Sequence, residues 1–307
     1  MTSLDKAYYS VSPDVKQALR QHGAVVALES TVITHGLPYP ENQKLAERLE
    51  AEIRESGCTP ATIAIIDGKI CIGIDQDQLA QLVHAGEVLK VSVRDIAPAV
   101  SGNKTGGTTV AGTLAIAQIA GIRVFATGGI GGVHRGAAFD VSADLMQLAR
   151  SQLVVVCAGA KAILDIGATL EVLETYGVSV IGYQTDEFPA FYTVSSGLPV
   201  SHRADSPEEV AELARVQWEL GTQSALLVAV PPPVEVEVES PVIEAAVQTA
   251  LEEAQNANIH GQEVTPFLLR RVSELTGGKS LMANLGLLVN NARLAAKIAQ
   301  AISKHRD

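Results

Sequence analysis

The chain has 307 residues, of which 47% are hydrophobic and 19% charged, a composition that excludes a disordered chain or a coiled coil and allows one large domain or two ordinary ones. Its 23 Lys and Arg against 34 Asp and Glu leave a net charge of −11, which repels nucleic acid and anionic membranes, so an anionic ligand has to meet a local cluster of cations. No apolar run approaches the roughly 20 residues needed to span a bilayer, the opening MTSLDKAYYS lacks a signal-peptide core, and Cys58, Cys71 and Cys157 form no C-x-x-C pair; the expectation is a reduced, cytoplasmic protein with neither nucleic-acid nor membrane partners.

In chain order, Ser12-Pro13 marks the first helix start. The hydroxyl accepts an orphan N–H, and proline at the first helical position loses no bond. Gly23 follows as a stop, then Val25 to Leu28 as a short apolar strand. Leu45, Leu49 and Ile53 recur at one-turn spacing, as in an amphipathic helix, with Gly57 behind them as a left-handed cap. Ile63 to Ile66 and Lys69 to Ile74 flank Asp67-Gly68, a dipeptide suited to a type I′ hairpin. Ala111 to Ala120 reads as a helix ending at Gly121, and Ser142 is a candidate N-cap for a helix over Ala143 to Arg150.

Four further apolar runs, Val124 to Ala126, Leu153 to Ala158, Val178 to Ile181 and Ala225 to Val230, read as strands covered on both faces. Ser206-Pro207 with Glu209 forms a predicted capping box; Ser240-Pro241 and Thr265-Pro266 mark later helix starts, and Gly177, Gly221 and Gly277 further stops. Pro231-Pro232-Pro233 and the VEVEVE after it read as a rigid surface loop, because helical patterning resumes at Ser240. The expected fold is a single α/β domain over 1–307, with a mixed, largely parallel sheet covered by helices on both faces and a small hairpin.

Ligands of open α/β sheets bind beyond the carboxyl ends of the strands. Glu29-Ser30-Thr31 follows the first apolar run, Thr127 and the glycine-rich stretch 128–136 follow the second, and Gly159-Ala160-Lys161 follows the third. A carboxylate, a glycine loop and a lysine therefore emerge at three strand ends. Each has a plainer reading beside the functional one: a capping carboxylate, a turn shaped by backbone geometry, and a lysine reaching for water. The glycine stretch matches G-x-G-x-x-G only up to His134, and it lacks the lysine of a P-loop. The stretch Gly102 to Val110, leading into a helix, is the better anion site. Lys161 beside a dry strand would be desolvated and available as a nucleophile. There is no H-E-x-x-H, G-x-S-x-G or paired C-x-x-C, which leaves zinc and serine-hydrolase chemistry without support.

Val25-Val26-Ala27-Leu28-Glu29-Ser30-Thr31 with His35-Gly36, Phe125 to Gly136, Asp140-Val141-Ser142-Ala143-Asp144-Leu145, Val155 to Lys161 and Thr265-Pro266-Phe267-Leu268-Leu269 together resemble the pseudouridine-5′-phosphate glycosidases. The likeness runs from Ser12 to Ile302. The indigoidine synthase A-like proteins share that fold. The resemblance implies reversible cleavage of the C–C bond between uracil C5 and ribose C1′ of pseudouridine 5′-phosphate, giving uracil and ribose 5-phosphate. It puts the lysine nucleophile at Lys161, the proton donor at Glu29 and a helper for proton movement at Asp144. It puts substrate contacts at Lys90, Thr109, Val110, Thr127, His134, Ser142, Asp144 and Asn290. It also implies a divalent metal, usually manganese, on Asp140 and a homotrimer. Gly136-Ala137-Ala138-Phe139 is a link to Asp140 about two residues shorter than in one bacterial relative of that family.

A C-glycoside has no leaving heteroatom to protonate, so the two-carboxylate scheme of ordinary glycosidases is insufficient. An uncharged lysine adding at C1′ of the opened ribose would supply the electron sink, and Glu29 the proton for C5. A Schiff-base aldolase acting on another phosphosugar would use the same lysine and loops without recognising uracil. A non-catalytic phosphosugar-binding protein would need neither Glu29 nor Lys161.

Overall fold

A computed structural model describes residues 7–135, 140–259 and 264–304. Its centre is a mixed 11-stranded sheet. Seven strands run parallel side by side: Thr59–Ile66, Val25–Leu28, Val124–Ala126, Val154–Cys157, Leu226–Ala229, Ser179–Tyr183 and His202–Ala204. The central strands are apolar at every position because helices cover both faces, which leaves no water-facing side to carry polar residues.

The antiparallel part lies at one edge. Thr59–Ile66 turns into Lys69–Ile72 through Asp67 and Gly68, whose φ values of 47° and 72° are those of a type I′ turn. Gly106–Thr108 pairs antiparallel with Thr59–Ile66 and parallel with Leu89–Val91. Part of the stretch 102–110 read as an anion loop is therefore a strand, and only its end opens a helix, Val110–Ala120.

Several cap predictions hold and several shift. Ser12 and Ser206 accept from Val15 and Glu209 N–H as N-caps. Glu209, however, accepts from the Asp205 N–H instead of closing a box on Ser206. Ser240 lies inside its helix, after an N-cap at Glu239, and the Val264–Leu275 helix begins before Thr265. Left-handed φ appears at Gly57, Gly121, Gly177, Gly221 and Gly277, while at the first stop His22 takes it in place of Gly23. Among the described residues no helix is long and apolar enough to cross a membrane.

The longest helix, Lys279–Lys304, packs across Val25–Leu28, Val124–Ala126 and Val154–Cys157. Its buried stripe is apolar except for Ser280 and Asn291. The Asn291 amide, with no solvent exposure, donates to the main-chain carbonyls of Thr127 (2.9 Å) and Gly128 (3.5 Å). These are the first residues beyond the Val124–Ala126 strand; Gly128 O also accepts from Ala158 N–H, so the amide matters most to Thr127 O. Asn291 Oδ1 has no partner, a cost the helix carries to hold the strand end in place. Asn291→Ala removes this donor and opens a small void, so urea denaturation should show a loss of about 2–4 kcal/mol. A loss below about 0.5 kcal/mol, the range of inert surface changes, would show that the strand end is held by other means.

Candidate functional site

Register brings the site together. Leu28 pairs with Ala126 and Ala126 with Val156, so the neighbouring strands end level and Glu29 emerges beside Thr127. Ser30 is held directly behind Glu29: its hydroxyl donates to Ile63 O (2.6 Å) and accepts from Thr108 N–H (2.8 Å). Glu29 is buried, and its two carboxylate oxygens accept from different hydroxyls, Oε2 from Thr31 and Oε1 from Thr127.

Lys161 lies just past the third strand end. The glycine loop after Val124–Ala126 runs beside the segment leading to it: Ala158 N–H donates to Gly128 O, Ile130 N–H to Gly159 O, and Lys161 N–H to Ile130 O. Gly159, at φ 92°, lies where a Cβ would meet Pro189 O at 2.4 Å, so only glycine fits the turn. Arg135 holds the far side, donating to Ala162 O and Leu164 O while its guanidinium pairs with Glu244. Lys161 is half-buried, less enclosed than its place after a dry strand predicts.

Glu29, Lys161 and Lys90 line one cavity of about 70 Å³, with Phe191, Leu269 and Leu288 as apolar walls. It adjoins a basin of about 890 Å³; His35, Lys90, Leu269 and Asn284 line both. The Lys90 pKa lies below its ordinary value, first through burial and second through neighbouring Lys161, while Asp144 and Glu29 act the other way. His35 is likewise lowered by burial and then by Lys90, and is neutral at pH 7.

Asp144 lines neither cavity. It is buried, and it joins two elements: Oδ1 accepts from Ala111 N–H (2.9 Å) at the start of the Val110–Ala120 helix, and Oδ2 from Gly131 N–H (2.8 Å) in the glycine loop. Thr109 caps that helix through Gly112 N–H, and Ser142 caps Ala143–Leu148 through Asp144 N–H. Thr109, Val110 and Ser142 thus surround the Asp144 clip without lining either cavity.

His134 and Asp140 form a separate pair, Nδ1 to Oδ1 3.2 Å, with the Asp140 side chain 53% exposed. The link Gly136–Phe139 lies outside the described residues. Among the described residues no three His, Cys, Asp or Glu side chains are grouped to hold a metal. One exposed carboxylate fits a hard divalent cation only if water supplies most of its ligands.

Asn290 lines neither cavity. On a helix of 3.6 residues per turn the inward face carries Asn284, Leu288 and Asn291, and Asn290 is turned roughly 100° away from Asn291. The residues that sequence reading missed are Thr31, His35, Phe191 and Asn284. Helical spacing from a known inward residue points to Asn284. His35 rests on an irregular π-type turn, Val32–Gly36, tied down by Asn42 Nδ2 donating to Ile33 O, a feature frequent at functional sites. Phe191 carries no local signal; its φ of 65° brings its ring against Gly129.

The chain matches the family described as indigoidine synthase A like protein over residues 14–301. It is 54% identical to a protein of Geobacillus kaustophilus named pseudouridine-5′-phosphate glycosidase, covering 95% of this chain and 98% of that one. It is 51% identical to pseudouridine-5′-phosphate glycosidase 2 of Photorhabdus laumondii, covering 97% and 96%. Among solved structures, the prealnumycin C-glycosynthase AlnA in complex with ribulose 5-phosphate superposes with a TM-score of 0.91 at 36% identity, covering 98% of this chain and 99% of that one. An indigoidine synthase A-like protein of Thermotoga maritima superposes at 0.89 with 37% identity, covering 96% of each. Matched across nearly its whole length in sequence and in fold, the chain belongs to the indigoidine synthase A like family.

Proposed function

We propose that this protein is a pseudouridine-5′-phosphate glycosidase that reversibly cleaves its substrate to uracil and ribose 5-phosphate. The observation that carries the reading is one cavity lined by a carboxylate and two lysines, Glu29, Lys161 and Lys90. The names of the curated relatives support the substrate, and the AlnA complex supports a five-carbon sugar phosphate as the ligand class.

The chemistry follows from these groups. The C1′–O4′ bond of ribose opens with electrons from the uracil ring, leaving C1′ electrophilic. The neutral Lys161 amine adds there, restoring the ring, and passes a proton to the O4′ alkoxide released by the opening, which gives the nitrogen back its lone pair. Glu29 protonates C5, and the nitrogen lone pair then forms an iminium as the C1′–C5 bond breaks and its electrons return to uracil. Water releases ribose 5-phosphate and regenerates the amine. Lys90 offers the cation for the 5′-phosphate, with the Val110 end of its helix as a second source of positive potential. Phe191, Leu269 and Leu288 offer apolar surface for a flat base. Asp140 would hold a divalent ion, largely water-coordinated, that would supply positive charge to an anionic ligand when bound.

Borohydride added during turnover should reduce the imine and leave the sugar phosphate on the peptide that contains Lys161. Lys161→Arg keeps the charge but supplies no neutral amine, because its pKa stays above ~12. It should lose both adduct and uracil release. An adduct on Lys90 or Lys104 instead would overturn the assignment.

Lys90→Ala removes a charge-assisted contact of about 1.5–3 kcal/mol, so kcat/KM should fall roughly 10- to 150-fold. Pseudouridine without its phosphate should be a similarly poor substrate for the unaltered enzyme. Equal rates with and without the phosphate would exclude Lys90 as its partner.

Manganese binding, followed by electron paramagnetic resonance on the protein without substrate, should weaken in Asp140→Asn. Unchanged Mn²⁺ affinity would move the metal off Asp140.

A further inference from the structure

The site holds two buried carboxylates whose partners differ in kind. Glu29 is held by hydroxyls on both oxygens, Thr31 and Thr127. Asp144 is held by main-chain N–H groups on both oxygens, Ala111 and Gly131. A hydroxyl both donates and accepts, and its hydrogen turns to suit its neighbour. An amide N–H only donates. If Glu29 takes up a proton, either threonine can rotate and accept from it without any heavy atom moving. If Asp144 took up a proton, that hydrogen would face an N–H that cannot accept.

The surroundings agree. Glu29 lines the cavity, where a proton has a destination, and Asp144 does not. The glycine loop is pressed onto Asp144 so closely that a Cβ at Gly131 would lie 2.7 Å from its Oδ2 and 2.2 Å from Ser142 Oγ. The start of the Val110–Ala120 helix adds positive potential that favours an anion there.

We propose that Thr31 and Thr127 are positioning residues that keep Glu29 in one place with or without its proton, while Asp144 is a fixed anion that ties the glycine loop to the helix start and exchanges no proton. The destination of the Glu29 proton rests on the glycosidase reading; the contrast between the two carboxylates does not. Thr127 thereby serves Glu29 rather than the substrate, and Asp144 drops out of the proton path.

Gln and Asn imitate the protonated acids, each with one accepting oxygen and one donating nitrogen. In Glu29→Gln the threonine facing the NH₂ turns to accept while the other still donates, so the melting temperature should stay within about 2 °C of the unaltered protein, the size of an inert change. In Asp144→Asn an NH₂ faces an N–H, and melting should drop by roughly 3–10 °C. Equal melting of the two variants, or a Glu29→Gln protein as unstable as Asp144→Asn, would overturn the proposal. No substrate enters this measurement.

The second arm is kinetic and does not need Asp144→Asn to fold. Thr127→Val should lower kcat for uracil release about 10- to 100-fold, within the range of a positioned proton donor. It should also shift the pH profile of kcat and leave KM within about twofold, because no binding contact is lost. Thr127→Ser, which restores the hydroxyl, should recover most of the rate. A Thr127→Val enzyme with unaltered kcat and pH profile, or one that serine does not rescue, would overturn the clamp. Failure of the unaltered protein to release uracil would instead sink the glycosidase reading and leave the melting contrast standing.

Discussion

The site depends on the level ending of adjacent parallel strands. Because Leu28, Ala126 and Val156 stand side by side, the residues that follow them leave the sheet at the same height. The Thr127 hydroxyl thus meets Glu29 although 98 positions separate them in the chain. A slip of one residue in the Leu28–Ala126 pairing would turn Glu29 to the opposite face from Thr127, since side chains alternate along a strand. The apolar ladders that fix the register therefore also fix the spacing of Glu29 and Thr127. The strands supply precision, and the loops beyond them supply chemistry.

The second layer of the design concerns main-chain groups that the ladders leave behind. Past the end of Val124–Ala126 the chain can no longer draw on neighbouring strands for all its bonds. Asn291 supplies donors from one side, and pairing with residues 158–161 supplies them from another. Asp144 performs the converse service, accepting from main-chain N–H groups of the glycine loop and of the Val110–Ala120 helix. Two buried polar side chains in this way hold a flexible glycine-rich segment in one conformation. Their burial is unfavourable in isolation and is offset by the groups they satisfy.

Electrostatics follow the same logic of local compensation. A chain of net charge −11 presents two lysines at one cavity, opposed by Glu29 and Asp144. Lys90 is lowered first by burial and second by Lys161, so the two lysines act on one another. Neutral His35 beside them adds hydrogen-bonding capacity without further charge.

Local chemistry alone determined the apolar strands, the type I′ hairpin, the caps at Ser12, Ser142 and Ser206 and most left-handed glycines, because each depends on residues within a few positions. Family likeness in the motifs around Glu29, Asp144 and Lys161 marked the carboxylates and the lysine as a set. Tertiary structure alone decided which hydroxyls reach Glu29, that Asp144 faces main-chain amides, and that Asn284 rather than Asn290 meets the cavity. It also decided that residues 106–108 form a strand and that Phe191 closes a wall. Each of these outcomes depends on sheet order, helix rotation or a distant backbone turn. Such geometry is settled by packing between elements remote in sequence, and no local pattern of residue types encodes it.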